Sequence, residues 1–400
     1  MATPAPAPVK PVETTLPVTT PTHRPPATIA LPTGFQIGDV PVDVTSVGTP
    51  PPSLGPLAAF VGNWSGNGFN TIFRPDSLTS PTKLPIPVTP PAGTTNDNIL
   101  ELNLTTENLS FSKSLGAVPN RGTGSQLDVF LNGVPYLQAI NDVTIPGKTT
   151  GIHLEPGLWV IVAPTTDPAE GQTLARMASI PHGTTIDAQG TSTTISGPPT
   201  IPAVDITPFV IGTSTKVPFP SQTATNKDTL RIPQDLTPFI AAGSITQAIL
   251  TDPNTVLRNH ISGQKITATT AISVSTNPNP PVFGGGTDNI GFLDANAKSI
   301  QMTATFWIET VEQTILVPVF KPGQPPLLIK GEAGAGLPSP VFSVTPPTEI
   351  TTPRSITVTH TQIQYSQVVM LNFKGLTWPH CSVATLLPDD HIVVPPSAWA

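Results

Sequence analysis

Fifty-two of the 400 residues are proline, and that number limits the fold more than any other feature of the chain. Proline breaks helix interiors and is confined in sheets to edges, first positions and bulges. With 31 glycines beside it, the chain reads as short strands joined by extended loops. Far-ultraviolet dichroism should then show helix well below about a third, the globular average.

The stretches between prolines carry the period of two that marks a half-buried strand. Leu100, Leu102 and Leu104 share one face of Ile99–Leu104. Ile300, Met302, Ala304, Phe306 and Ile308 alternate with Gln301, Thr303, Thr305, Trp307 and Glu309. Further runs lie at 127–131, 136–140, 153–162, 176–180, 266–275, 315–320, 356–365 and 368–373. Asn132-Gly133 between two of them is a hairpin signal. About ten short strands with turns between them predict an all-β chain, an antiparallel barrel rather than a parallel α/β sheet.

Residues 1–55 form a Pro/Thr-rich extended segment without an apolar period, and residues 56–390 read as a single barrel domain. Removing residues 1 to about 50 is expected to leave that domain folded. A second Pro-rich loop is expected at 81–92. An insertion at about 195–290 interrupts the barrel and carries the few short helices, mainly over 237–262. Thr237 reads as an N-cap before Pro238, and Ser244 and Asp252-Pro253 as two more helix starts.

The charged fraction is 11% and the net charge -7, with 18 scattered basic residues. Nucleic acid is excluded as a partner, because phosphate binding needs clustered Lys and Arg. The single cysteine, Cys381, excludes an intramolecular disulfide and a cysteine-based zinc cage. No run of about 18 apolar residues occurs, so no membrane span is expected. No apolar core follows Met1, so a cytoplasmic location is expected, with a secreted mature form as the alternative. Gly284-Gly285-Gly286 lacks the Lys-Ser/Thr of a phosphate loop, and no Gly-x-Ser-x-Gly elbow is present. Oligomeric state has no signature in the sequence.

The most informative stretch is Gly375–Leu387. Pro379 reads as the first position of a short final strand, which puts His380, Ser382, Ala384 and Leu386 on one face. Two small side chains after an imidazole leave room for something that is not protein, and an imidazole aimed there suits haem iron. The alternative is a hydrogen-bonded histidine at a strand end. Cys381 falls on the opposite face.

Four local patterns in order resemble the nitrobindin-like haem-binding β-barrel family, whose barrel is of the fatty-acid-binding-protein and lipocalin type. They are Gly62-Asn63-Trp64-Ser65-Gly66-Asn67-Gly68, Asn132–Gln138, His153-Leu154-Glu155-Pro156-Gly157, and His380 with Ala384 and Leu386. The resemblance covers roughly 57–190 and 300–388. Asn63 stands where the family usually has threonine, and the lead-in and insertion have no counterpart there. The resemblance implies haem b with His380 as the axial iron ligand. It implies action on nitric oxide or peroxynitrite, or peroxidase-like activity.

Within that reading Trp64, Asn63, His182, Ser382 and Ala384 are the candidate cofactor-binding residues. His153 and Glu155, two apart on one strand face, are the candidate proton shuttle. Their alternative reading is a salt-linked pair holding a loop, and that of His182 is a solvated turn histidine. His260 and His360 read as surface or helix-end residues. The competing function is a barrel that carries an apolar small ligand without haem. A third is a structural or surface protein.

Overall fold

The structure is a computed structural model that describes residues 51–75, 98–334 and 336–399. Most of the Pro/Thr-rich lead-in and the loop 81–92 therefore lie outside the described residues.

Ten antiparallel strands close into a barrel. They are β1 (Gly62–Pro75), β2 (Asn98–Phe111), β3 (Val129–Asp142), β4 (Thr150–Val162), β5 (Thr173–Ile180), β6 (Thr184–Ser196), β7 (Lys265–Ser275), β8 (Lys298–Val317), β9 (Arg354–Phe373) and β10 (Leu376–Pro388). Each pairs with its neighbours in the chain, and β10 returns to pair with β1 from Trp64↔Pro388 to Thr71↔Cys381. Closure leaves no barrel strand with a free edge, which is how such sheets avoid edge-to-edge association.

Alternation sends one set of side chains inward. One end of the interior is apolar, and the 3₁₀ turn Gly55–Phe60 plugs it with fully buried Leu57 and Phe60. Phe60 stacks on Phe111 with ring centroids 4.6 Å apart and meets Trp159 and Phe306 edge-on. Each buried side chain of this size contributes roughly 1.5–3 kcal/mol relative to exposure. Trp64 joins the plug and donates its indole N–H to the Phe60 carbonyl at 2.7 Å.

The outer face is apolar where the chain covers it. The excursion between β6 and β7 carries α1 (Thr237–Ala241), α2 (Gln247–Thr251) and α3 (Thr255–His260). Ile245, Ile249, Leu250 and Leu257 pack there against Phe69, Leu102, Trp378, Cys381 and Val383. Strand β10 is therefore buried on both faces, which explains its nearly continuous apolar run.

Several expectations need correction. Asn132-Gly133 is no turn but lies inside β3. The Asn132 side chain ties Ser114 and the Pro52 carbonyl, and a Cβ at Gly133 would meet the Trp159 carbonyl oxygen at 2.1 Å. Close strand approach, not turn geometry, requires that glycine. The runs 300–308 and 315–320 form one 20-residue strand, as do 356–365 and 368–373. The far ends of β8 and β9 leave the barrel and pack with strands Leu327–Lys330 and Val341–Val344 around a separate apolar cluster.

Pro379 lies within β10 rather than at its start, and it is tolerated because the pairing with β1 stops at Cys381. Strand β7 is a barrel member inside the stretch read as one insertion, so two excursions flank it. Helix α1 starts at Thr237 with Asp235 accepting from its backbone N–H and hydroxyl, and Thr246 rather than Ser244 caps α2. His260 and His360 are buried, His260 against the Thr385 hydroxyl and His360 beside Gln313.

No helix of the described residues is long and apolar enough to cross a membrane.

Candidate functional site

Away from the plug, the barrel interior opens into a cavity of about 410 Å³. Part of its wall is aliphatic, with Ile72, Ile140, Ile152, Ile180, Val369 and Leu371, and the Arg74–Glu101 ion pair also lines it. Its polar groups converge from eight strands and one turn, and three of them are histidines: His153, His182 and His380.

His380 sits on the inward face of β10 with Ser382, as alternation predicts. Asn70 of β1 donates to the Ser382 hydroxyl at 2.7 Å and lies 3.2 Å from His380 Nε2. An amide nitrogen can only donate, so Nε2 is the acceptor and the ring hydrogen sits on Nδ1. That Nδ1 is buried without a partner among the described residues. Burial first, then His153 and His182, push the His380 pKa down to about 3, so the imidazole is neutral in ordinary buffers. Cys381 points out of the barrel under the excursion, where burial pushes its thiol up and keeps it protonated.

Opposite lies a buried ionic group that sequence reading found only in part. Glu155, inward on β4, accepts from Arg176 of β5 at 2.7 Å and from the Tyr136 hydroxyl. Its other oxygen lies 3.1 Å from His153 Nε2. Arg176 also donates to the Tyr136 oxygen at 2.9 Å and to Gln367 at 2.6 Å, with Tyr136, Trp159 and Phe306 rings around its guanidinium. Burial alone would raise the Glu155 pKa, but Arg176, His153 and Tyr136 together hold it down at about 2. Gly157 makes this possible, since a Cβ there would meet the Tyr136 ring at 2.4 Å.

A second buried carboxyl lies beneath the cavity. Glu107 of β2 accepts from Tyr365 at 2.6 Å and from Gln138 at 2.6 Å. Burial raises its pKa to about 7 against those two bonds and the charges of His153 and Arg176. When protonated it donates to the Tyr365 oxygen, and the phenolic hydrogen then turns toward the cavity.

His153, Glu155, His380, Ser382 and His182 thus come together around one space. His182 lies in the turn between β5 and β6 and remains exposed at the rim, its ring centroid 5.7 Å from that of His153. Partial desolvation by the rim around it and the neighbouring His153 lower its pKa. Three expected cofactor contacts are not brought in. Asn63 is exposed, Trp64 belongs to the apolar plug, and Ala384 lies in the apolar core against Gly68. The turn Gly55–Phe60 packs at the plugged end of the barrel, and Trp64 is bonded to it rather than lining the cavity. Asn70, Arg176, Tyr136, Glu107 and Tyr365 were missed, although Arg176 and Glu107 stand as charges at inward positions of alternating strands. Among the described residues no group of three or more His, Cys, Asp and Glu side chains is arranged to hold a bare metal ion.

No family model and no curated protein matches the sequence. Among solved structures, the crystal structure of Rv2717c from M. tuberculosis aligns over 84% of this chain and 97% of that one. The identity is 10% and the TM-score 0.32, a likeness too slight to carry an argument.

Proposed function

We propose that this barrel binds haem b through His380, with the cavity as the haem pocket. The observation that carries the reading is a neutral, inward imidazole on the wall of a cavity of about 410 Å³ partly lined by aliphatic side chains. The donor set fits the group. His380 would hold the iron, and Asn70, which now lies 3.2 Å from His380, would keep Ser382 and Asn103 as partners. When bound, haem supplies an iron that takes nitric oxide and acts on peroxynitrite or peroxide, the chemistry that the nitrobindin-like resemblance implies.

The chain's own residues supply the rest. His153 is the group that exchanges a proton with a ligand in the cavity. Glu155, held as a carboxylate by Arg176, accepts from His153 Nε2 and orients its ring. Tyr365 offers a hydroxyl whose direction follows the protonation of Glu107. The aliphatic walls exclude water and hold the face of a flat ligand.

The same walls favour a second reading, a carrier of an apolar small molecule without iron. Titrating hemin into the full chain separates the two. The haem reading expects saturable uptake at one equivalent with a sharpened band at the blue edge of the visible. A chain that never takes up hemin but binds a fluorescent fatty acid in the cavity supports the carrier instead.

A further inference from the structure

We infer that His153 and His182 form a two-imidazole site for a late first-row divalent metal ion, Cu(II) binding tightest, at the rim of the cavity. The inference rests on the cavity's geometry and not on haem.

The two rings have centroids 5.7 Å apart and planes inclined at 44°. An ion about 2.0–2.1 Å from each ligating nitrogen puts each centroid roughly 3.2 Å away, so two rings on one ion lie at most about 6.4 Å apart. The observed separation falls inside that span, with an open angle between the rings. The His182 side chain is exposed at its turn and free to adjust toward an ion between the rings.

The environment of His153 is that of a metal ligand. Its Nε2 faces Glu155, a fully buried carboxylate, at 3.1 Å, so Nε2–H donates and Nδ1 carries the lone pair. A carboxylate behind an imidazole fixes the tautomer and raises its basicity toward a metal on the other nitrogen. Glu155 cannot swing over to ligate the ion itself, because Arg176 and Tyr136 hold its other oxygen. His182 has no hydrogen-bond partner among the described residues, so its ring is available. Two neutral imidazoles suit copper, nickel and zinc, and affinity rises to copper in that series.

The test uses the full chain stripped with a chelator and titrated with Cu(II), with affinity read by competition and ligation by the nitrogen coupling in the electron paramagnetic resonance spectrum. The expected result is one equivalent with coupling to two imidazole nitrogens. His153→Ala and His182→Ala should each weaken binding by at least about 10–100-fold, the range that even an outer partner of a ligand is worth. His391→Ala and His260→Ala, at positions outside the cavity, should bind Cu(II) like the parent. His182 is exposed at a turn, so its variant keeps the fold, and thermal melting checks this for both. Wild type without a one-equivalent Cu(II) site, or one kept by both His153→Ala and His182→Ala, overturns the inference. So does a site lost in His391→Ala or His260→Ala. Loss of hemin uptake with the Cu(II) site intact would count against haem alone.

Discussion

Glu155→Gln is expected to lower stability by about 3–5 kcal/mol, a large share of what a folded protein has in reserve. Arg176 is 1% exposed and Glu155 0%, so the substitution leaves a guanidinium uncompensated in the barrel interior. Denaturant midpoints at neutral pH measure the loss. Removing both charges with Glu155→Gln and Arg176→Met should recover much of it, because replacing a whole buried pair is often close to neutral. The pH dependence has a definite sign. The folded pKa of Glu155 is depressed to about 2, so its contribution is present above the unfolded value near 4.5 and is lost as pH falls through 2. A single variant that costs under about 1 kcal/mol would mean that the pair is solvated.

Two other carboxyls act on the alkaline side. Burial lifts Glu107 to about 7 against its bonds to Tyr365 and Gln138, and lifts Glu309, on the outer face of β8, to about 8 against its bond from Gln362. A raised folded pKa stabilises fully below the unfolded value near 4.5, and that stabilisation is lost as pH rises through 7 and 8. At about 1.4 kcal/mol per pKa unit, the two together should remove on the order of 5–8 kcal/mol between pH 5 and pH 9. Glu107→Gln and Glu309→Gln keep the shape without the charge, so each should flatten the decline and raise stability at pH 9. Denaturation curves at the two pH values decide it. Equal slopes in the parent and both variants would contradict the burial described for these groups.

Much of the barrel was legible because a closed sheet obeys a period of two over long stretches. Alternation alone put His380 and Ser382 inside and Cys381 outside. It put His153 and Glu155 on one face as well. Strand length was less legible. The residues Glu309–Thr314 contain no turn former, yet their polar character read as a break where β8 continues under the far cluster. Asn132-Gly133 misled because local dipeptide habits do not register that Gly133 faces the Trp159 backbone. Trp64 and Asn63 were drawn in by the motif around them, whereas the side chains that complete the site come from β1, β2, β3, β5 and β9. Arg176 could have been found as the one charge in Leu174–Ile180, although its partner Glu155 is 21 residues away and only the barrel brings them together.

The most direct test of the central claim is hemin affinity in wild type and in His380→Gly, with free imidazole added back. Wild type should bind one equivalent, and His380→Gly should lose that binding while melting as a folded barrel. Imidazole diffusing into the vacated space should restore the band, because what the residue supplies is a neutral nitrogen at the cavity wall. Equal hemin affinity in the two proteins, with no response to imidazole, would contradict the assignment of His380 as the iron ligand.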